Sequence, residues 1–218
     1  MQANGFAINT RDELEQAAAS LIRLDERFGV LQARNGLPRL RLRPGGLEGL
    51  AWIVTGQLIS ARAAEVIWQR VSAALAPFDA HRIAELDVDE VAALGLTRAK
   101  ALAVIDAAVA VRDGAFSFAA LETMDDAQAA RTLASLRGIG RWSADIYLMS
   151  CLGRPDAWPA GDLAVRAGVQ QLLGLPSLPA IAAMDGLAEA WRPWRAVAAR
   201  FLWDHYVETR VKGGGEAG

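Results

Sequence analysis

Apolar residues recur along most of the chain at intervals of three and four, which is the spacing of α-helices with one buried face. This pattern predicts a first helix from Thr10 to Phe28, where Thr10 and Glu13 form a capping-box sequence at its start. The same spacing continues through Leu47–Leu75. The segment Gly56–Ser60 interrupts it and predicts two helices instead of one.

Residues 29–46 lack this pattern and contain glycines and prolines that break helices. We predict an irregular segment there, and it also carries Arg34, Arg39, Arg41 and Arg43. A solvated loop is the favoured interpretation, because a short run of charge is usually surface. An arm that contacts phosphates is the alternative.

Helical spacing and cap residues predict the remaining elements. They lie near Val88–Leu94, over Arg98–Arg112 with Thr97 as its N-cap, from Asp125 to Leu136, and over Arg141–Leu152, Leu163–Leu173, Met184–Trp191 and Pro193–Thr209. Hydrophobic residues make up 53% of the chain, and Ala and Leu dominate them, which favours helices over strands. The predicted fold class is therefore all-α.

Length and composition narrow the classes of function. A chain of 218 residues can form one domain or two tight subdomains. Its net charge of −2 argues against a protein that coats nucleic acid by charge alone, although local basic patches remain compatible. The single cysteine, Cys151, excludes an internal disulfide and a four-cysteine metal or iron–sulfur site, and it favours a cytoplasmic location. We find no secretion signal and no apolar run long enough for a bilayer.

The most informative segment is LRGIGRWSA at residues 136–144, a Gly-x-Gly sequence between two predicted helices. Glycines let backbone N–H groups approach a ligand, and the helix that begins at Arg141 adds the positive end of its dipole. Gly138 and Gly140 could therefore donate N–H groups to one phosphate oxygen, and Ser143 could add a hydroxyl. An ordinary tight turn is an equally open interpretation of this sequence.

A carboxylate follows soon after, at Asp162 in the sequence WPAGD of residues 158–162. An acid held near a bound phosphate could help to cut a bond in DNA. The alternative is that Asp162 is the N-cap of the helix at Leu163, which is a common role for aspartate.

The combination of LxGIGxWSA with PAGDL at residues 159–163 resembles the helix-hairpin-helix DNA glycosylases, and more narrowly their 3-methyladenine DNA glycosylase II branch, which repairs alkylated bases. The resemblance extends from about Gly46 to Trp203, through GQLIS (56–60), GLTRAK (95–100) and WRPWR (191–195). Several motifs in the family's order are far more specific than any single one.

The resemblance implies two helical subdomains, about residues 47–150 and about residues 10–46 plus 151–210, with a DNA-binding cleft between them. Residues 211–218 are expected to form a disordered tail. The partner implied is double-stranded DNA with damaged bases. We expect a monomer without membrane association, in the cytoplasm and on the nucleoid if the source is bacterial.

The resemblance also implies a mechanism in which the damaged nucleotide leaves the duplex and enters a pocket. Asp162 would stabilise the sugar cation that forms as the base departs, or orient the attacking water. Leu58 would fill the gap in the base stack, and Gln57 would contact the opposing base. The alternative for Leu58 is a place in the hydrophobic core.

Trp142 and Trp194 match positions that suggest walls of the base pocket, where an aromatic ring would attract a cationic alkylated base. Ile146 lies one turn after Trp142, where some relatives place a tyrosine against the base, so the base selectivity is open. Relatives that also cut the backbone carry a lysine where this chain has Trp142. The resemblance therefore implies hydrolysis of the N-glycosidic bond without lyase activity.

No cofactor and no iron–sulfur cluster are expected. In the family, hairpin carbonyls can bind a structural monovalent cation, and the matching carbonyls belong to Ala134, Leu136 and Ile139. Two alternatives stay open at this point: a glycosylase for another lesion, such as ethenoadenine or a deaminated or oxidised base, and a non-catalytic module that binds DNA or protein.

Overall fold

The structure is a computed structural model that describes the backbone of residues 6–213 and the side chains up to residue 209. Within these residues it contains helices and no β-strand, which confirms the predicted all-α class. The α-helices are α1 (Arg11–Leu24), α2 (Arg27–Asn35), α3 (Gly46–Gly56), α4 (Ala61–Leu75), α5 (Ala80–Ala84), α6 (Val88–Ala92), α7 (Arg98–Arg112), α8 (Asp126–Ala134), α9 (Arg141–Ser150), α10 (Leu163–Leu173), α11 (Met184–Leu187) and α12 (Arg195–Gly213). Short 3₁₀ turns cover Ala119–Thr123, Ile181–Ala183 and Glu189–Trp191.

The chain divides into two compact units. The first, which we call the central unit, is the continuous segment Arg43–Leu152 and contains α3 to α9. The second, which we call the terminal unit, combines the segments before and after it and contains α1, α2 and α10 to α12.

Helix α7 forms the centre of the central unit and packs against α3, α5 and α6. Its alanines bring these helices close together, because Ala101 and Ala108 are fully buried. Helix α3 also approaches its neighbours closely: a Cβ atom on Gly49 would lie 2.3 Å from the Pro44 carbonyl oxygen and 2.6 Å from Cys151 Sγ. Burial raises the pKa of the Cys151 thiol to about 12.

Helix α12 is the common packing partner of α1, α2 and α10 in the terminal unit. Its contact with α10 depends on Gly168, since a Cβ atom there would lie 2.8 Å from Leu202 Cβ. The start of α12 is fixed by Arg195, which donates to both carboxylate oxygens of Asp156 at 2.8 Å and is largely buried. A buried charge needs such a partner, so this pair anchors the segment that leads to Asp162.

Sequence signals at helix ends are confirmed in several places. The Thr10–Glu13 capping box is present, and Thr97 and Asp125 accept hydrogen bonds as N-caps of α7 and α8. The break at Gly56–Ser60 separates α3 from α4, and α10 covers the predicted residues Leu163–Leu173.

Two predictions at the amino-terminal end are wrong. The first helix ends at Leu24, because Asp25 takes an extended conformation with φ −150° and ψ 103°. The predicted irregular segment begins with helix α2 instead. Phe28 and Leu31 are buried on one face of α2, and this packing outweighs the low helix propensity of Gly29.

The prediction that residues 211–218 form a disordered tail is also wrong in part. Helix α12 continues to Gly213, so residues 211–213 are helical. Residues 214–218 lie outside the described residues. Among the helices that the structure describes, none has the length and apolar character needed to cross a membrane.

Replacing Gly168 with valine should lower the free energy of unfolding by about 1–3 kcal/mol, because the new side chain forces α10 away from Leu202. Urea denaturation measures this change. Gly186→Val is the matched control, since nothing lies within 4 Å of a Cβ atom at that position. Equal unfolding midpoints for the two variants would contradict the close packing of α10 on α12.

Candidate functional site

The hairpin between α8 and α9 is built as a tight turn with a buried anchor. Gly138 has φ +74°, a conformation that glycine adopts without a steric penalty. The Ile139 N–H donates to the Leu136 carbonyl at 3.2 Å, and both side chains are buried. Helix α9 then starts at Arg141, and its N-cap residue, Gly140, has no side chain to cap the helix. Backbone N–H groups and the positive end of the helix dipole therefore make its amino-terminal end suitable for binding an anion.

Glycine at position 138 is also required by packing. A Cβ atom there would lie 2.9 Å from the Cβ atom of Ala103 on α7. The hairpin therefore packs directly against α7, and this contact sets the position of the hairpin within the central unit.

Gln57 contacts the hairpin in the described structure. Its amide nitrogen donates to the Gly138 carbonyl at 3.1 Å and to Ser143 Oγ at 2.8 Å. Ser143 is 3% exposed, so its hydroxyl is buried within the hairpin, which argues against the predicted contact with a phosphate. The predicted contact of Gln57 with an opposing base stays a prediction.

Leu58 lies in the turn between α3 and α4 and is fully exposed. Its φ angle is +57°, which is unusual for a residue with a side chain. This exposure excludes the alternative that Leu58 is a core residue. An apolar side chain held in solvent by a strained backbone suits contact with a partner.

Asp162 is the N-cap of α10, so the capping interpretation is correct as a description of its geometry. Its Oδ1 atom accepts hydrogen bonds from the backbone N–H groups of Ala164 at 2.9 Å and Val165 at 3.1 Å. The same oxygen accepts a third from Trp203 Nε1 at 2.9 Å. The residue is half-buried, and the three donors fix the direction of its carboxylate.

Trp203 is the site residue that sequence reasoning missed. It lies 41 residues after Asp162, on α12, and no local pattern connects the two positions. The sequence did contain one indication that Trp203 matters, because the family resemblance extends as far as this tryptophan.

The three predicted residues of the base pocket differ in exposure. Trp142 and Trp194 are both partly exposed, and Trp194 packs edge-on against Phe6 with ring centroids 5.5 Å apart. Ile146 is 4% exposed and packs inside the central unit, which argues against direct contact with a base.

The predicted cation ligands lie at the end of α8 and in the hairpin. Carbonyl oxygens near a helix C-terminus fit a monovalent cation in charge and donor chemistry. One of them is already in use, because the Leu136 carbonyl accepts the N–H of Ile139. A carbonyl oxygen has two lone pairs, so this hydrogen bond leaves the carbonyl able to bind a cation.

Comparison with known proteins adds to this geometry. Residues 51–193 match the HhH-GPD superfamily of base excision DNA repair proteins. The chain belongs to this superfamily. The HhH-GPD match includes the hairpin, Leu58 and Asp162, but it ends before Trp194 and Trp203.

Individual HhH-GPD relatives support the narrower resemblance. The chain is 25% identical over 198 residues to the alkylbase DNA glycosidase-like protein mag2 of Schizosaccharomyces pombe, covering 88% of this chain and 93% of that protein. It is 31% identical over 121 residues to YfjP of Bacillus subtilis, named as a candidate DNA-3-methyladenine glycosylase, and the match covers 56% of this chain and 42% of that longer relative.

A solved structure of a 3-methyladenine DNA glycosylase is also similar to this chain. The S. pombe 3-methyladenine DNA glycosylase Mag1, in complex with abasic DNA, superimposes with a TM-score of 0.79 and 26% identity, covering 86% of this chain and 95% of that one. The resemblance to the 3-methyladenine branch is confirmed by these relatives.

Asp162→Ala should lower the free energy of unfolding by about 0.5–2 kcal/mol, because it removes the cap of α10. Asp162→Asn should cost much less, since asparagine caps helices about as well as aspartate. Thermal and urea denaturation measure both variants. If the alanine variant were as stable as the unaltered chain, the capping contacts would contribute nothing to stability.

Proposed function

We propose that this protein is a DNA glycosylase that hydrolyses the N-glycosidic bond of alkylated bases of the 3-methyladenine and 7-methylguanine type. The observation that carries the proposal is the Asp162 carboxylate, half-buried and oriented by two backbone N–H groups and the Trp203 indole. It follows the hairpin in the sequence, and both lie within residues 51–193, which match the superfamily.

In this proposal Asp162 acts on the sugar. As the bond between C1′ and the base nitrogen breaks, its electron pair leaves with the base and the sugar gains positive charge. A carboxylate held in a fixed direction stabilises that charge without having to reorganise. Water then attacks C1′, and its proton passes to the carboxylate or to solvent.

The hairpin would hold the DNA backbone on the uncapped amino-terminal end of α9, with Gly138 and Gly140 allowing close approach. Leu58 would occupy the space that the extruded base leaves in the stack. A monovalent cation on the carbonyls of Ala134, Leu136 and Ile139 would add positive charge near the bound phosphate.

An alkylated purine carries a positive charge, which makes it a good leaving group and attracts it to aromatic rings. Trp142 and Trp194 are the aromatic residues that we assign to this task, and both are partly exposed. Such a base needs little acid catalysis, so a single carboxylate is sufficient for the reaction.

We also propose that the enzyme has no lyase activity. A lyase step needs an amine that forms a Schiff base with the sugar, and the chain has only two lysines, Lys100 and Lys212. Lys100 Nζ donates to the backbone carbonyls of Thr55 and Gln57. The position directly after the hairpin carries Trp142.

Asp162→Asn should lower the single-turnover rate of base release at least 100-fold, because the charge that stabilises the sugar cation is lost. Affinity for the DNA should stay within a few-fold. Chromatography of bases released from methylated duplex DNA, with a binding titration, measures both quantities.

Asp79→Asn is the matched control, because Asp79 caps α5 through the same kind of hydrogen bond. It should release bases at the unaltered rate. Full activity of Asp162→Asn would overturn the role of Asp162. If the unaltered chain released no base from a panel with methylated, ethenoadenine, deaminated and oxidised lesions, a non-catalytic binding module would be the better conclusion.

Borohydride reduction during the reaction should trap no covalent complex between the protein and DNA, since trapping requires a Schiff base. A denaturing gel with an authentic glycosylase/lyase as positive control measures this. Strand cleavage together with a trapped complex would show that one of the amines of this chain performs lyase chemistry.

A further inference from the structure

Lys100 lies in the first turn of α7, and its side chain reaches the end of another helix. Its ammonium group donates to the Thr55 carbonyl at 3.0 Å and to the Gln57 carbonyl at 2.7 Å. Both carbonyls belong to the carboxyl-terminal end of α3, where a positive charge is favoured by the helix dipole. The contact is partly buried, and this burial lowers the pKa of Lys100.

The Gln57 carbonyl directly precedes Leu58, and the Thr55 carbonyl lies three residues before it. Leu58 is fully exposed and has φ +57°, so no packing of its own side chain holds its backbone in this conformation. A strained residue keeps its conformation when its neighbours over-determine it. The restraint must therefore come from contacts of the adjacent backbone.

Gln57 supplies the second restraint on this turn. Its side-chain nitrogen donates to the Gly138 carbonyl and to Ser143 Oγ, which ties the turn to the hairpin. Lys100 thus fixes the backbone on the α3 side of Leu58, and Gln57 fixes the distance of the turn from the hairpin.

We propose that Lys100 is a positioning residue that holds Leu58 in its exposed conformation before DNA binds. The inference rests on the proposed function, in which Leu58 enters the base stack. It assigns to Lys100 a structural task at the α3 carbonyls instead of a contact with a DNA phosphate. A preorganised Leu58 spares the enzyme the cost of ordering this turn at the moment of base extrusion.

A double-mutant cycle tests the coupling of Lys100 to Leu58. Lys100→Met should slow single-turnover release of 3-methyladenine from duplex DNA about tenfold, since two hydrogen bonds from a charged donor are lost. In the Leu58→Ala background the same substitution should change the rate less than twofold. Lys100→Arg, which keeps the charge and the donors, should recover most of the rate. Equal effects of Lys100→Met in both backgrounds would overturn the proposal.

Arg98→Met is the matched control. Arg98 precedes Lys100 by two residues on α7, carries the same charge and pairs with Asp89 at the surface. Its removal should leave the rate of base release unchanged. The salt dependence of DNA binding separates the two roles of Lys100: a lost phosphate contact lowers the slope of log K against log salt by about one, and a positioning role leaves it unchanged. A lowered slope would overturn the proposal.

Hydrogen exchange of the protein without DNA keeps this test separate from the proposed function. Lys100→Met should raise the exchange rate of peptides covering residues 56–60 at least fivefold, while Arg98→Met should not. If the unaltered chain released no base but Lys100→Met still raised this exchange rate, the proposed function would fail and the restraint by Lys100 would stand. Unchanged exchange in Lys100→Met would overturn the inference whatever the activity.

Discussion

The hydrogen bonds to one carboxylate oxygen of Asp162 connect the local structure of the terminal unit with its proposed chemistry. The same atom caps the amino-terminal end of α10 and accepts a hydrogen bond from the indole N–H of Trp203 on α12. Because α10 packs closely on α12 through Gly168, the carboxylate is held by two helices that cannot shift independently. The hydrogen bonds that cap the helix thus also orient the carboxylate to which we assign the catalytic role.

The central unit depends on a comparable constraint at the hairpin. Gly138 contacts α7 through Ala103, and Gln57 joins the hairpin to the turn that carries Leu58. Three features that were separate in the sequence, namely GQLIS, GLTRAK and the hairpin, are therefore parts of one hydrogen-bonded assembly. The three motifs have a physical reason to occur together: Lys100 binds the carbonyls of Thr55 and Gln57, and the Gln57 side chain binds the hairpin.

Local sequence patterns predicted the helix ends that are determined by interactions between residues near each other in the sequence. The caps at Thr10, Thr97 and Asp125, the break after Gly56 and the bounds of α10 all follow from side chains within four residues of the helix end. Contacts between distant residues were not predictable in this way. Helix α2 forms because Phe28 and Leu31 are buried by tertiary packing, and the contacts of Gln57 with Ser143 and of Trp203 with Asp162 join residues 86 and 41 positions apart.

The environment of Cys151 has a consequence for a protein that would work where methylating agents are present. Such electrophiles react with thiolates much faster than with thiols. Burial raises the pKa of this single cysteine to about 12, so it stays protonated at neutral pH. The packing around α3 therefore favours the thiol form of Cys151, which is the form that reacts slowly with such reagents.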